Sequence, residues 1–567
     1  MNFKKIVDNF IWKPETEYQF SLPTSGKVDN TYVPLKDLNL PKNVLTNLSA
    51  NIDFIKMKYN SLINSDIILR EFVINVHNKQ YEALLLFIDG LVDSDLINNY
   101  ILKPLMLKNK SNCSTEAEAS AKTLNSKSTN FKKVKVKKKE QPLDIVEYIS
   151  NCLLPQNTVN TEQSFEKLFS GVNSGNCVLF IDTLDFAFDI EVKGFKQRSI
   201  GSPNTEVVIK GPQEAFVENI RTNTSLLRRI INSEDLILEN IDIGSITKTK
   251  CAICYMKNIT NNDLIAEVRY RLNNLEIDSL LSSGQLEQLI VNNEANMGIS
   301  ETLSTERPDT AAKYLLQGRV VVLVNGSPFA LIMPVCLIDF MTSPEDTNLK
   351  PYLANFLKTI RLLSAFLTLL LPSFYVAVTS FHQEILPTEL LNSILIARES
   401  VPFPVIFEIL IMEVSFELIR EAGLRVPSPI GSTIGIVGAL VLGQAAVSAN
   451  IVSPILIIIV AITGIASFAI PDFSFGFHLR VFRFIFILLG YLAGFLGIAV
   501  GLFVYTSIIC NMKSFGVYFA APFAPAINSK GNAYFIPPIW KQEYRANYIA
   551  PKKERAQEKI SMKWKFK

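Results

Sequence analysis

The residues with the most chemical potential sit where charge is least welcome. Between Phe403 and Ile419 an apolar segment carries Glu408, Glu413 and Glu417, and Arg420 follows it. At about 100° per residue of helix, Glu413, Glu417 and Arg420 fall within about 60° of one another, whereas Glu408 lies almost opposite Glu417. Glu408 therefore shares a face with Ile411, Met412, Ser415 and Ile419. A lone carboxylate there costs roughly 2.5 to 3.5 kcal/mol at the centre of a bilayer, so it needs a partner, water or a proton. Two readings stay open. Glu408 lines a pore or cation path, with Gln444 as a second candidate, or the segment lies at a membrane interface and Glu408 reaches water. The face of Glu413, Glu417 and Arg420 can sit at that interface.

Other reactive types point away from catalysis. The three histidines, His77, His382 and His478, lack plausible triad or metal partners, so no enzyme activity and no cofactor is expected. The seven cysteines, Cys113, Cys152, Cys177, Cys251, Cys254, Cys336 and Cys510, have scattered spacings that give no disulfide framework. Cys251 and Cys254 form a lone C-x-x-C inside a strand-like run, where positions three apart point to opposite faces. They read as buried small residues, because zinc needs four convergent ligands.

The carboxylates are positioned by apolar helices. From Val426 to Pro471 no Asp, Glu, Lys or Arg occurs, and at ~20 residues per crossing this stretch holds two helices. Asn450, Ser453 and Pro454 supply the turn between them. Leu362 to Phe381 and Phe484 to Met512 are likewise free of charge and show no polar face. Lys350, Lys358 and Arg361 before the first run, and the Lys-rich end from Lys552 to Lys567, place both flanks in the cytoplasm. An even number of crossings follows. The charge-free runs give four, with 403–419 re-entrant or interfacial; six result if Pro387 to Glu421 spans as a hairpin. Gly431, Gly435, Ala439 and Gly443, and again Gly490, Gly494, Gly497 and Gly501, form small-residue ladders that let helices approach closely, within one chain or between copies.

The rest of the 567 residues reads as soluble. Mean hydropathy is +0.23 with 19% charged residues, an average over two unlike halves. The net charge of +3 is uninformative, but Lys and Arg are not spread as a nucleic-acid face would need, so no nucleic-acid partner is expected. No apolar signal segment opens the chain. The fold class expected is an α+β cytoplasmic N-terminal region of two α/β modules, followed by an α-helical polytopic membrane domain. The boundaries expected are 1–107 for the first module, 108–145 for a Lys-rich disordered linker, 146–350 for the second module, 351–512 for the membrane domain and 513–567 for a basic tail. The linker's Lys run is a solvated block or touches anionic head groups. Helix 43–60, strands 67–76 and 81–88 and helix 93–106 recur in order as helix 214–231, strands 236–243 and 251–256 and helix 263–274. Asn51 to Lys56 resembles Asn223 to Arg228, which suggests a duplication. Arg221 and Arg228 share a helix face that is solvated or binds carboxylates. Asn325-Gly326 between apolar runs marks a hairpin.

A set of motifs then points to a family. Glu306-Arg307-Pro308-Asp309, Gly318-Arg319-Val320 to Pro328-Phe329-Ala330, Ser343-Pro344-Glu345-Asp346, Phe381-His382-Gln383-Glu384 with Pro387-Thr388-Glu389-Leu390, Val401-Pro402-Phe403-Pro404, Arg420-Glu421-Ala422-Gly423 and Gly443-Gln444-Ala445-Ala446-Val447 lie collinear over about 165–525. Together they resemble the A subunit of the GerA family of spore germination proteins. The resemblance implies a multi-pass subunit of a nutrient germinant receptor in the spore inner membrane. It further implies a transporter-like B subunit, a lipoprotein C subunit and a homo-oligomeric ring that conducts ions or transmits the signal. Two other classes stay open: a secondary transporter, disfavoured by the absence of an inverted repeat, and a membrane-anchored scaffold.

Overall fold

Asn47 begins the first regular element, because its side chain accepts hydrogen bonds from the Ser49 and Ala50 N–H groups that a helix start leaves free. The computed structural model describes residues 20–22, 41–76, 79–107, 149, 153–156, 158–194, 202–203, 205–291, 298–425, 443–527, 534–558 and 562–565. Helix α1 (Leu48–Tyr59) leads into the antiparallel pair β1 (Ile67–Val76) and β2 (Lys79–Ile88). A helical run α2 (94–107) follows, its middle turn Ile97–Leu102 being π-type. Then come β3 (Val159–Glu162), α3 (Phe165–Asn173), β4 (Asn176–Ile181) and β5 (Ala187–Glu191). They complete one antiparallel sheet in the order β1-β2-β4-β5-β3.

That sheet corrects the expected division at 107 and 146. Strand β2 pairs with β4, from Ala83 opposite Ile181 to Leu86 opposite Val178. Cys177 to Ile181 are buried throughout, and a strand buried on both faces must be central, so it cannot serve as an edge of the second unit. The segment 108–145 lies outside the described residues, and the chain on either side of it builds one unit.

The second unit repeats the plan. Elements α4 (Ile220–Ile230), β6 (Leu236–Ile243), β7 (Thr249–Met256), α5 (Asn262–Asn273), α6 (Ser283–Ile290), β8 (Leu303–Thr305), α7 (Pro308–Leu316), β9 (Val320–Val324) and β10 (Ala330–Met333) form a sheet in the order β6-β7-β9-β10-β8. Its α4 starts six residues later than expected, at Ile220, capped by Asn219 in the same way that Asn47 caps α1. The correspondence reaches individual atoms. Asn51 clamps Leu45 through its N–H at 3.0 Å and its carbonyl at 2.6 Å, and Asn223 clamps Val217 at 2.8 and 2.6 Å. Gly175 and Gly318, each between a helix and a strand, have φ of +97° and +96°, a region that favours glycine. Cys251 and Cys254 are buried in the cores on opposite faces of the second sheet.

The arginine face of α4 joins the two units. Arg228 is buried and grips Asp66 at 2.8 and 2.9 Å, with Asn64 at 3.1 Å. Arg221 pairs with Asp89. Reciprocally, Lys58 of α1 meets Glu234 of the second unit at 2.8 Å. The face is therefore spent on carboxylates of the chain itself.

Beyond the second unit lie α8 (Pro351–Ser380), α9 (Thr388–Arg398), α10 (Val405–Arg425), a helical turn at 443–448, α11 (Pro454–Phe468) and α12 (Phe473–Asn511). Among the described residues, α8 and α12 are long and apolar enough to cross a membrane, and α11 is apolar but shorter. The expected turn is present, with Asn450 at φ +53° and Pro454 in the first turn of α11. The first helix of that hairpin, with Gly431, Gly435 and Ala439, lies outside the described residues.

One expectation for the bundle is corrected. Residues 484–512 do not make one straight pass, because Ala493 and Gly494 leave helical geometry and α12 folds back on itself. The His478 ring nitrogen Nε2 sits 3.2 Å from the Tyr505 hydroxyl, whereas 27 residues of straight helix would separate them by ~40 Å. Most of the segment 403–419 lies within one longer helix. That helix is the 21-residue α10, whose Ile406, Ile409 and Met412 pack with Val376 of α8 and Leu456 of α11. The tail also departs from expectation. Ser514 Oγ accepts from Val335 N–H at 3.0 Å and donates to the Glu301 carbonyl at 2.6 Å. Tyr548 and Ile549 join the core of the second unit, so the described tail residues 513–527 and 534–558 pack onto that unit.

The joint between units yields a test. Arg228→Met leaves Asp66 without its cation and lowers unfolding stability by about 3 kcal/mol, the scale for breaking a mostly buried pair. Arg221→Ala, whose side chain is exposed, costs less than about 1 kcal/mol. Denaturant unfolding followed by fluorescence reads both, and equal costs would contradict the assignment of the joint to Arg228.

Candidate functional site

Glu408 stands in the first turn of α10, where position alone leaves it among apolar neighbours. The structure supplies its partners. Oε1 accepts from Arg398 Nη2 at 3.2 Å and Oε2 accepts from Ser453 N–H at 3.1 Å, and the carboxylate is 1% exposed. Arg398 closes α9 and Ser453 precedes α11, so one side chain ties three helices. An anion at the start of α11 is also favoured by that helix's dipole. Gln444 sits exposed on the turn at 443–448, and the hydrogen bonds of Glu408 go to Arg398 and Ser453.

About one and a half turns further along α10 a second cluster begins. Glu413 and Arg483 meet at 2.8 Å, both side chains 0% exposed. The Glu413 carboxylate is enclosed by α12 rather than exposed. Arg420, Arg480 and Arg483 approach one oxygen of Glu417 at 3.3, 3.7 and 3.1 Å. Arg420 also donates to Ser467 Oγ at 2.7 Å. Two acids thus face three arginines among the described residues. Arg480 and Arg483 were missed because the charge-free run was counted from Phe484. Their three-residue spacing puts them on one helix face, which was the available signal.

The glycine ladder is divided by the fold of α12. A Cβ on Gly490 would meet the Ser373 carbonyl of α8 at 2.8 Å, closer than side-chain carbons approach. Gly494 forms the turn itself at φ +57°, against His382. Gly497 lies against the Leu489 carbonyl and Gly501 against Leu489 and Phe486, both across the fold of one chain. Gly443 has only ordinary contact with Ile457, at 3.8 Å.

Where the bundle meets the second unit there is a cavity of about 1900 Å³. Arg420, Phe468 and Arg480 line it from the bundle, and Glu206, Lys313 and Asp346 from the unit. The Glu306-Arg307-Pro308-Asp309 motif shapes its wall. Buried Arg307 grips Asp309 at 2.9 and 3.1 Å and donates to the carbonyls of Glu206 and Pro212 at 3.1 and 2.8 Å. Glu206 accepts from Thr305 and Glu306, and burial pushes its carboxyl up to about 7. Asp346 of the Ser343-Pro344-Glu345-Asp346 motif pairs with Arg361 of α8 at 2.6 Å. The motifs thus fasten the unit to the base of the bundle.

Two like antiparallel α+β units clamped to an apolar, internally ion-paired helical bundle define the class of protein. A family model described as "Bacillus/Clostridium GerA spore germination protein" matches residues 53–548, and the chain belongs to that family. It is 38% identical over 512 residues to spore germination protein KA of Bacillus subtilis (strain 168), covering 90% of this chain and 88% of that one. The uncharacterized membrane protein YfkQ of the same organism is 32% identical, over 91% of this chain and 94% of its own. A solved structure, the N-terminal domain of the A subunit of the Bacillus megaterium spore germinant receptor GerK3, is 30% identical over 52% of this chain and 96% of its own, with a TM-score of 0.35.

The glycine geometry predicts a contrast. Gly490→Leu forces α8 and α12 apart and destabilises the protein by about 1 to 3 kcal/mol or more. Gly443→Ala is neutral or stabilises by up to about 1 kcal/mol through helix propensity. Thermal unfolding in detergent separates them, and equal melting temperatures for Gly490→Leu and the parent would remove the close α8–α12 contact.

Proposed function

We propose that this chain is the membrane-embedded A-type subunit of a spore germinant receptor and acts in germination by turning a nutrient signal into ion movement. Its family and its relatives among spore germination proteins support the role, and a relative named as a membrane protein supports the location. Through its family resemblance the chain works with a transporter-like B subunit and a lipoprotein C subunit. Both termini are cytoplasmic. The tail packs on the unit that precedes α8, which supports an even number of crossings. Six crossings in place of four fit a start and a return on one side, and α8, α10, α11 and the two arms of α12 supply five of them.

One observation carries the finer reading. Glu408, Glu413 and Glu417 each meet an arginine of the same chain, so these carboxylates act as internal latches between helices. A cation path then forms between copies of the chain in an oligomer, bordered by exposed faces such as that of Gln444, rather than through one bundle. The latches let α10 and α12 move together when the partner subunits engage nutrient.

Two experiments test this. Spores lacking the chain lose their response to at least one nutrient; an undiminished response to every nutrient would sink the receptor role. Glu408→Gln weakens the hold on Arg398, costing about 1 to 3 kcal/mol, and lowers folded protein in the spore membrane several-fold while cation efflux per folded receptor holds. Parent-level protein with slowed efflux would put Glu408 on the ion path and overturn its role as a latch.

A further inference from the structure

We propose that Arg480, with Arg420 beside it, binds the phosphate of an anionic phospholipid from the leaflet nearest the cytoplasmic units. This rests on the reading that the bundle crosses a bilayer. Arg480 is 7% exposed and lines the cavity at the foot of the bundle. It makes no hydrogen bond to a described residue; its closest carboxylate oxygen, on Glu417, is 3.7 Å away. A guanidinium carries five donors in a planar fork suited to phosphate, and burying it without acceptors is costly. Its neighbours cannot supply them. Glu413 is held by Arg483 at 2.8 Å, and Glu417 is shared by three guanidiniums. The Asp472 carboxylate at the start of the same helix caps α12, accepting from Phe475 N–H at 2.7 Å. One positive charge is left over at the cavity wall.

The surroundings fit an amphiphile better than a free ion. Arg420 lies over Phe468 at 4.6 Å, and Arg480 lies over Phe477 at 5.2 Å and Phe473 at 5.8 Å. All three rings are largely exposed. Exposed aromatic rings beside arginines, at the level where apolar helices give way to a polar unit, mark head-group depth. An acyl chain would cover the rings while the phosphate takes the guanidinium donors. A free phosphate would gain nothing from the rings.

The test is native mass spectrometry of the full chain released from vesicles of equal phosphatidylglycerol and phosphatidylcholine. The parent retains phosphatidylglycerol preferentially, and Arg480→Gln reduces that preference about five-fold, the scale for one basic residue near an anionic surface. Arg480→Lys keeps most of it, which separates loss of charge from loss of fold. Equal retention of the two lipids by the parent, or an unchanged preference in Arg480→Gln, would overturn the proposal. If inorganic phosphate alone raises the melting temperature of the parent as much as phosphatidylglycerol does, the site takes free phosphate and the lipid assignment falls. A chain that does not enter vesicles at all would overturn the membrane reading, and this inference with it.

Discussion

A charge placed between apolar helices must bring its partner with it, and the bundle is arranged around that constraint. Glu413 and Arg483 exclude solvent from each other completely. An isolated ion in such a place would be disfavoured by several kcal/mol, so α10 and the first arm of α12 share one register. In the first turn of α10, Glu408 fixes the close of α9 and the start of α11. With α10 pinned in its first turn and at its middle, the small side of α12 can press on α8, where Gly490 lies against the Ser373 carbonyl. Packing between helices in an apolar medium depends on such close approach and on polar ties.

The same logic extends to the foot of the bundle. Arg361 of α8 holds Asp346 of the second unit, and Lys358 donates to the Tyr534 carbonyl of the tail at 3.1 Å. The tail returns to the core of that unit, and Arg228 carries the connection on to the first unit through Asp66. A displacement of α10 and α12 therefore has a continuous route of ion pairs and packed residues into the two α+β units. Whether that route transmits energy depends on an element with two arrangements, and the sharply folded α12, turning at Gly494, is the element the geometry offers.

Much of this was legible in the sequence. The strands at 67–76 and 236–243 matched to the residue, since alternating and β-branched runs bounded by polar turns are strong signals. The paired positions Asn51 and Asn223 pointed to the repeat, because the same loop must be clamped twice. The sheet of the first unit was misdivided because strand pairing crosses 108–145, and no local pattern says which strand neighbours which. The fold of α12 was hidden because a turn at Ala493–Gly494 in a wholly apolar run resembles the rest of a glycine ladder. Residue spacing placed Glu413 with Glu417 and Arg420, but burial of that face depended on Arg480 and Arg483, some 60 residues away. Helical periodicity describes one helix and is silent about what packs on it.

The central claim is that Glu413 and Arg483 act as a pair within one chain. Exchanging them tests it most directly, by measuring the melting temperature and membrane-inserted yield of Glu413→Arg, Arg483→Glu and the double exchange. Each single change places two like charges together in an apolar site, and should cost about 3 to 5 kcal/mol or abolish folding. The double exchange should recover a large part of that loss. If it is as damaging as the two single changes combined, the pair does not hold the helices together, and the account of the bundle is wrong.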